Sequence, residues 1–271
     1  MITLLGGSGF IATHLARHLD VLGVTWQAPA RGEPLVGRDL GCVVDCAGIT
    51  ADFRTRPYDT VEAHVTRVAK LARTCRFDRF IYLSSTRLYL GHPRSPAREE
   101  DPLTLSPVGA GGLYNLSKAM GEAVTLTLGP RGHVVRLSNV YGLGSEPPNF
   151  LASIVTDALV AGRIALRTSL ASAKDYVSVG DVADLLARLA IHGGSEAIYN
   201  VAGGARVSNG DIVAALARLT GCSVSVADEP EGWAYPDIDI TRVQREFGFA
   251  PSGLIADLPD LVSSYRKRLA T

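Results

Sequence analysis

The sequence predicts an α/β fold in which a doubly wound parallel sheet carries a small C-terminal lobe. Three observations lead there. Short β-type runs alternate with helix-period runs over the first half of the chain, a glycine-rich turn joins the first of these strands to the first helix, and beyond residue 142 the elements become shorter and turn-separated. Parallel neighbours need a long crossover between them, and a helix of ten or more residues between strands supplies it.

The elements follow in order. Residues 2–5 form a strand, and residues 10–22 a helix with Ile11, Leu15, Leu19 and Leu22 on its apolar stripe. Strands are expected at 24–27, 42–46, 80–84 and 133–137, and helices near 60–75 and 113–128. After Gly142 a Pro-rich link leads into one amphipathic helix, SEPPNFLASIVTDALVAGRI. A helix over 181–192 stops at Gly193-Gly194, Ser208 with Asp211 reads as a capping box opening a helix that ends at Gly221, and a last helix covers 254–269. The division is a sheet domain over 1–142, joined by returning segments near 175–204, with 143–271 mainly a small lobe.

Charge and cysteine usage bound the function. The 271 residues carry 27 Lys+Arg against 27 Asp+Glu, which removes the electrostatic case for a nucleic-acid or anionic-membrane partner. Four cysteines, Cys42, Cys46, Cys75 and Cys222, are too few and too irregular for a disulfide framework and fit a reducing compartment. Cys42 and Cys46 lie on one face of a strand, but no second pair has ligand spacing, so no metal site is expected. His14 and His18 lack the HExxH glutamate and read as two solvated helix residues. MITLLGGSGF lacks the basic region of a signal peptide, and charges interrupt every apolar run before it could span a bilayer. A soluble, cytoplasmic protein is expected.

Gly6-Gly7-Ser8-Gly9-Phe10-Ile11-Ala12 follows the first strand directly and opens the first helix. Glycines there permit a tight turn and a close approach of a diphosphate, while the helix N-terminus offers N–H donors, so Gly6, Ser8, Gly9, Phe10 and Ile11 are expected to bind a dinucleotide on a Rossmann-type sheet. Ala12 at the third position is small enough for helix–strand packing. The end of the second strand, VTWQAPAR, lacks the acid that would bind an adenosine ribose and ends on Arg31. Arg31 is either a partner for the 2′-phosphate of NADP or a solvated loop arginine.

Tyr114 and Lys118 are four apart near a helix start and so share a face. With four lysines and nine tyrosines in the chain, chance alone predicts well under one Tyr-x-x-x-Lys match. A neighbouring ammonium favours the phenolate, which is expected to lower the tyrosine pKa toward the range of a general base, and the lysine could also reach the nicotinamide ribose. Ser85 leaves the C-terminal end of a strand, where open α/β sheets bind ligands, and could hydrogen-bond a substrate oxygen.

With these motifs in place the sequence resembles the extended short-chain dehydrogenase/reductase family, in its NAD-dependent epimerase/dehydratase branch. The resemblance covers nearly the whole chain and rests on GGSGFIA, DCAG at 45–48, YLSSTRLYLG at 82–91, YNLSK at 114–118, RLSNVYG at 136–142, KDYVSVGDVADL at 174–185, YNVAGG at 199–204 and FGFAP at 247–251. It implies a catalytic group of Ser85, Tyr114 and Lys118, a cofactor faced by Ala47 and Gly48, and a substrate diphosphate near Asn139. Thr86 and Arg87 follow Ser85 where the family's sugar 4,6-dehydratases carry an acidic pair, and Lys174 stands where a phosphate-pairing arginine is frequent. His64 and Arg67 replace an asparagine and a small residue. About 14 residues separate Gln27 from Cys42, too few for the usual helix and strand, so the adenosine pocket is expected to be truncated.

The resemblance implies an NAD(P)-dependent nucleotide-sugar oxidoreductase with a small substrate-binding lobe over 143–271. A 4-keto-sugar reductase using Ser85, Tyr114 and Lys118 leads, with NADP slightly favoured over NAD because of Arg31, and with Thr86, Arg87, Asn139 and Lys174 on the sugar nucleotide. The alternatives are an epimerase that retains NAD and, from another class, a catalytically inactive NAD(P)-binding sensor. The family also implies a homodimer built on a helix pair that includes the Tyr114 helix.

Overall fold

The structure is a computed structural model and describes residues 1–50, 52–109, 111–144, 149–231 and 235–270. Among them, β1 (Ile2–Leu5), β2 (Trp26–Gln27), β3 (Cys42–Asp45), β4 (Arg79–Ser85), β5 (Gly132–Leu137) and β9 (Ile198–Val201) form a six-stranded sheet in the order β2-β1-β3-β4-β5-β9. Every pairing is parallel, and β1, β3 and β5 are buried along their whole length. Helices on both faces account for the unbroken apolar runs read in the sequence. The register aligns Leu5 with Asp45 and Asp45 with Tyr82, while Ser85 lies opposite Leu137, so the strands end along one edge. The strand order reverses at β1 and β3, and such a reversal opens a crevice at the carboxyl ends.

The shortened stretch of sequence has a direct structural consequence. Residues 28–41 hold turns and one isolated bridge, Asp39 to Arg76, and no helix or strand, so the sheet stops at the two-residue β2 and lacks the outer strand of the usual 3-2-1-4-5-6 order.

Helix α1 (Phe10–Val21) buries Ala12, Leu15, Ala16 and Leu19, whereas Leu22 falls at its C-cap and is exposed. His14 and His18 are not merely solvated. The His14 ring is 3.0 Å from the Leu143 carbonyl and His18 is 3.4 Å from Asp184, so they join α1 to the lobe strand's end and to α6 (Val179–His192). The helix expected over 60–75 is three pieces in series, α2 (Pro57–Val61), a π turn (Glu62–Thr66) and α3 (Arg67–Thr74). Helix α4 (Gly112–Leu126) lies so close to the sheet that a Cβ on Gly121 would stand 2.3 Å from the Tyr82 hydroxyl.

Beyond residue 138 a second core forms. Strands β6 (Asn139–Tyr141), β8 (Ala173–Ser178) and β10 (Arg206–Ser208) make a small sheet, and β7 (Arg163–Thr168) pairs with β11 (Ser223–Glu231). Around them α5 (Phe150–Val160), α7 (Asn209–Thr220) and α9 (Leu254–Leu269) bury Leu151, Val155, Leu216 and Leu258. Ser178 and Ser208 cap α6 and α7 by accepting the Asp181 and Asp211 N–H groups. Residues 173–178 do not return to the main sheet, because β8 pairs with β6 and β10. Conversely Ile238, Ile240 and Phe249, together with Val243 of α8 (Thr241–Phe247), pack into the core of the main sheet. Among the described residues no helix is long and apolar enough to cross a membrane.

A buried ion pair ties α4 to the sheet. Arg136 of β5 meets Glu122 of α4 through Nη2 at 2.7 Å and Nε at 3.0 Å, both side chains being about 4–5% exposed. Ser84 donates to the same carboxylate, and Arg136 Nη1 donates to the Tyr89 hydroxyl at 2.6 Å. Removing one partner strands the other charge, so Glu122→Leu is expected to lower stability by about 3–5 kcal/mol in urea denaturation, and Glu122→Leu with Arg136→Met to recover most of that loss.

Candidate functional site

The crevice at the strand ends is a cleft of about 430 Å³ lined by the β1–α1 turn, the ends of β3, β4 and β5, the face of α4, and the lobe at Asn149 to Leu151, Lys174, Tyr176 and Tyr235. The glycine turn forms one wall. Gly6 has φ +73°, and a Cβ on it would meet the Ala47 backbone at 2.7 Å, so only glycine lets the turn pass beneath β3. Gly9 caps α1 with no side-chain bond, which leaves first-turn N–H groups for a ligand. Gly9, Phe10 and Ile11 line the cleft, Gly6 lies behind them, and Ser8 is exposed on the turn. Ala47 and Gly48 line it from the end of β3. Arg31 does not reach the cleft lining and is exposed in the 28–41 loop, where Glu33 is engaged by Arg38 and the Ala30 N–H.

Ser85, Tyr114 and Lys118 all line the cleft, with the Ser85 hydroxyl hydrogen-bonded to Tyr114. The strand ending at Ser85 and the helix carrying the other two are held together by Glu122 of that helix, whose carboxylate accepts from Ser84, the neighbour of Ser85. The chemistry of Tyr114 differs from the expectation. Burial pushes its phenol above the ordinary value of 10, and the groups that pull it down are the Ser85 hydroxyl and the Arg87 guanidinium. Lys118 instead donates to the Leu83 carbonyl at 2.8 Å and sits 5.0 Å from the Tyr82 ring centroid. Burial lowers Lys118 to about 8, against the raising effect of Asp45 and Glu122. The helical spacing does place both side chains in the cleft, but the lysine lies along β4 while Arg87 comes from β4's end to the phenol.

His64 and Arg67 explain the π turn. His64 is fully buried, its Nε2 accepts the Ile49 N–H at 3.2 Å, and its Nδ1 lies 2.9 Å from the Ser117 hydroxyl. Its ring stands edge-on to Tyr114 with centroids 5.5 Å apart. The wide turn brings the imidazole between the 46–50 loop and α4, a placement in keeping with π turns at functional sites. Burial, with Lys118 and Arg67 nearby, lowers His64 to about 3 and keeps it neutral. Arg67 donates to Asp45 at 2.6 Å and to the Ala47 carbonyl, which bridges α3 to the end of β3.

On the lobe side, Arg87 and Lys174 line the cleft with Asn139, whose amide donates to the Asp175 carbonyl at 2.8 Å. Thr86 is buried at the start of the short helical turn after Ser85. The Lys174 ammonium lies 5.3 Å from the Phe150 ring, and burial with repulsion from Arg87 lowers its pKa. Phe53 and Tyr235 also line the cleft from loops with no motif around them, Phe150 opens α5, and Tyr176 lies within the KDYV run of β8, a motif that assigns it no site role.

A model described as the NAD dependent epimerase/dehydratase family matches residues 2–202. The chain is 28% identical over 198 residues to a dTDP-glucose 4,6-dehydratase of Streptomyces griseus, a match covering 69% of this chain and only 58% of that one. It is 25% identical to a dTDP-4-dehydro-6-deoxy-D-allose reductase of a Streptomyces species, over 96% of this chain and 94% of the other. Among solved structures, MoeE5 in complex with UDP-glucose and NAD superposes with a TM-score of 0.82 at 21% identity, over 99% of each chain, a likeness of fold.

The pKa of His64 gives a test of this geometry. An unfolded histidine takes up its proton near pH 6.5, whereas folded His64 does so only near pH 3, so between those values the unfolded chain binds more protons and stability falls as pH falls. His64→Asn is expected to flatten the dependence of unfolding free energy on pH between 5 and 6.5 by up to about 1.4 kcal/mol per pH unit relative to the parent, in urea titrations at each pH. Equal slopes in the two proteins would place the imidazole in water.

Proposed function

The chain belongs to the NAD-dependent epimerase/dehydratase family, and from that premise we propose that it is an NAD(P)-dependent nucleotide-sugar oxidoreductase that reduces a 4-keto sugar. The observation that carries this reading is Tyr114, buried beside Ser85 and held in its protonated form. Reduction of a ketone needs a proton for the carbonyl oxygen, and a phenol whose pKa is raised suits a donor better than an acceptor. The Ser85 hydroxyl holds that oxygen, and Lys118 holds the ribose beside it. A bound nicotinamide would supply the hydride.

Dehydration fits the cleft less well. Among the described residues lining it the one carboxylate is Asp45, and that is engaged by Arg67, while the positions after Ser85 are Thr86 and Arg87. The residues fit the dinucleotide at the glycine turn, which leaves an uncapped helix start facing the cleft, and at Gly48, whose missing Cβ would stand 3.3 Å from Lys118 Nζ. NADP is favoured over NAD by Arg31, exposed just past β2 with no ionic partner among the described residues while Glu33 is engaged elsewhere. Asn139 and Lys174 are assigned to the substrate diphosphate. A homodimer is proposed through the exposed Leu113, Leu116 and Met120 of α4 with Tyr58 and Val61 of α2, an apolar face at helical spacing.

Tyr114→Phe is expected to cut kcat for ketone reduction by about 10²-fold or more with the affinity for nucleotide cofactor nearly unchanged, measured by steady-state kinetics and direct titration. Near-normal turnover would remove Tyr114 from the reaction. Native mass spectrometry of the purified protein checks the rest: a dimer that takes up NADPH is expected, whereas firmly retained NAD would indicate epimerisation, and a protein that binds neither would indicate a lost cofactor function.

A further inference from the structure

We propose that the sugar acted on carries a carboxylate next to the reacting carbon, and that Arg87 recognises it. The proposal deepens the nucleotide-sugar reading and rests on it.

Arg87 is partly buried, and its Nε is shut off from solvent with no hydrogen-bond partner. Among the described residues its guanidinium makes no ion pair. It is nevertheless firmly placed. Its Cζ lies 5.9 Å from the ring centroids of both Phe53 and Tyr114, Nη2 packs against Gly111, and its backbone N–H donates to Ser85 Oγ at 3.1 Å. A cation that is removed from water and unpaired is costly unless a ligand completes it. The position of that missing anion follows from the geometry, since the guanidinium borders Tyr114, so an acid it holds sits beside the oxygen that takes the proton.

A second cation shares the cleft. Lys174 also makes no ion pair among the described residues, and it lies on β8, across from Arg87 and beside Phe150. Among the described residues the one carboxylate of the lining, Asp45, is engaged by Arg67. Two uncompensated cations of different placement suit a ligand with two anionic centres. Lys174, a compact charge on the lobe, fits the diphosphate, and Arg87, with a planar fork at the catalytic end, fits a carboxylate, which it can bind bidentately.

The test is a titration of the purified protein by calorimetry with a nucleoside diphosphate, its glucose ester and its glucuronate ester, each in uridine, thymidine and guanosine forms so that the base is not limiting. The glucuronate is expected to bind at least about tenfold tighter than the glucose compound, in keeping with a charge-assisted bidentate contact. Arg87→Gln should erase that ratio, while Lys174→Gln should weaken all three ligands by a similar factor and keep it. Equal affinity for the two sugars in the parent protein, or an Arg87→Gln loss as large for the free diphosphate as for the glucuronate, would overturn the assignment and leave the nucleotide-sugar reading standing. Failure of every nucleotide to bind would overturn both.

Discussion

The carboxylate of Glu122 and the guanidinium of Arg136 meet where water is excluded, and the geometry of the site depends on that meeting. Glu122 comes from the helix that carries Tyr114 and Lys118, Ser84 adjoins Ser85 on β4, and Arg136 comes from the next strand. Ser84 and Arg136 both donate to Glu122, and Arg136 continues to the Tyr89 hydroxyl, which donates to Asn200 on β9 at 2.9 Å. The chain of bonds therefore fixes the helix to three strands. Such a pair is weak evidence for net stability, because the desolvation of both ions offsets much of their attraction. Its effect here is positional: a helix free to slide along an apolar sheet would move the phenol relative to Ser85.

The same exclusion of water sets the electrostatics around the phenol. Tyr114, Lys118 and His64 are all displaced toward their neutral forms, with burial the largest cause in each. Charge that remains near them is compensated, as Arg67 is by Asp45, or faces the cleft, as Arg87 and Lys174 do. A ligand that brings negative charge thus meets, among the described residues, little competing negative charge. Zero net charge over the whole chain gives no long-range attraction, so recognition of an anionic ligand falls to these local groups.

Much of this order was legible in the residues. The glycine turn, the four-residue spacing of Tyr114 and Lys118, and Ser85 at a strand end each have a local signature, and local signatures survive folding. Fourteen residues of loop where a helix and strand usually stand could likewise be counted, and the missing edge strand follows from the count alone. What could not be read were relations between distant segments. Spacing put Lys118 on the face of Tyr114 but could not show that its amine turns to the Leu83 carbonyl, nor that Arg87, far off in sequence, takes the place beside the phenol. His14 and His18 looked solvated because the groups they meet, Leu143 and Asp184, lie in elements more than a hundred residues away. Phe53 and Tyr235 are cleft residues only because loops happen to end there.

Arg87 also changes how the departures from the family pattern fit together. An acidic pair after Ser85 would put negative charge at the catalytic end, suited to removing a proton from the substrate in an elimination. A guanidinium there reverses the sign and offsets part of the rise that burial imposes on the Tyr114 phenol. His64, neutral and wedged by its π turn between the 46–50 loop and α4, adds no charge to that balance and fixes the loop through the Ile49 N–H. The residues at 67 and 87 act in one direction, Arg67 by cancelling Asp45 and Arg87 by placing a cation beside Tyr114, and a cleft so arranged favours a ligand that supplies the missing anion.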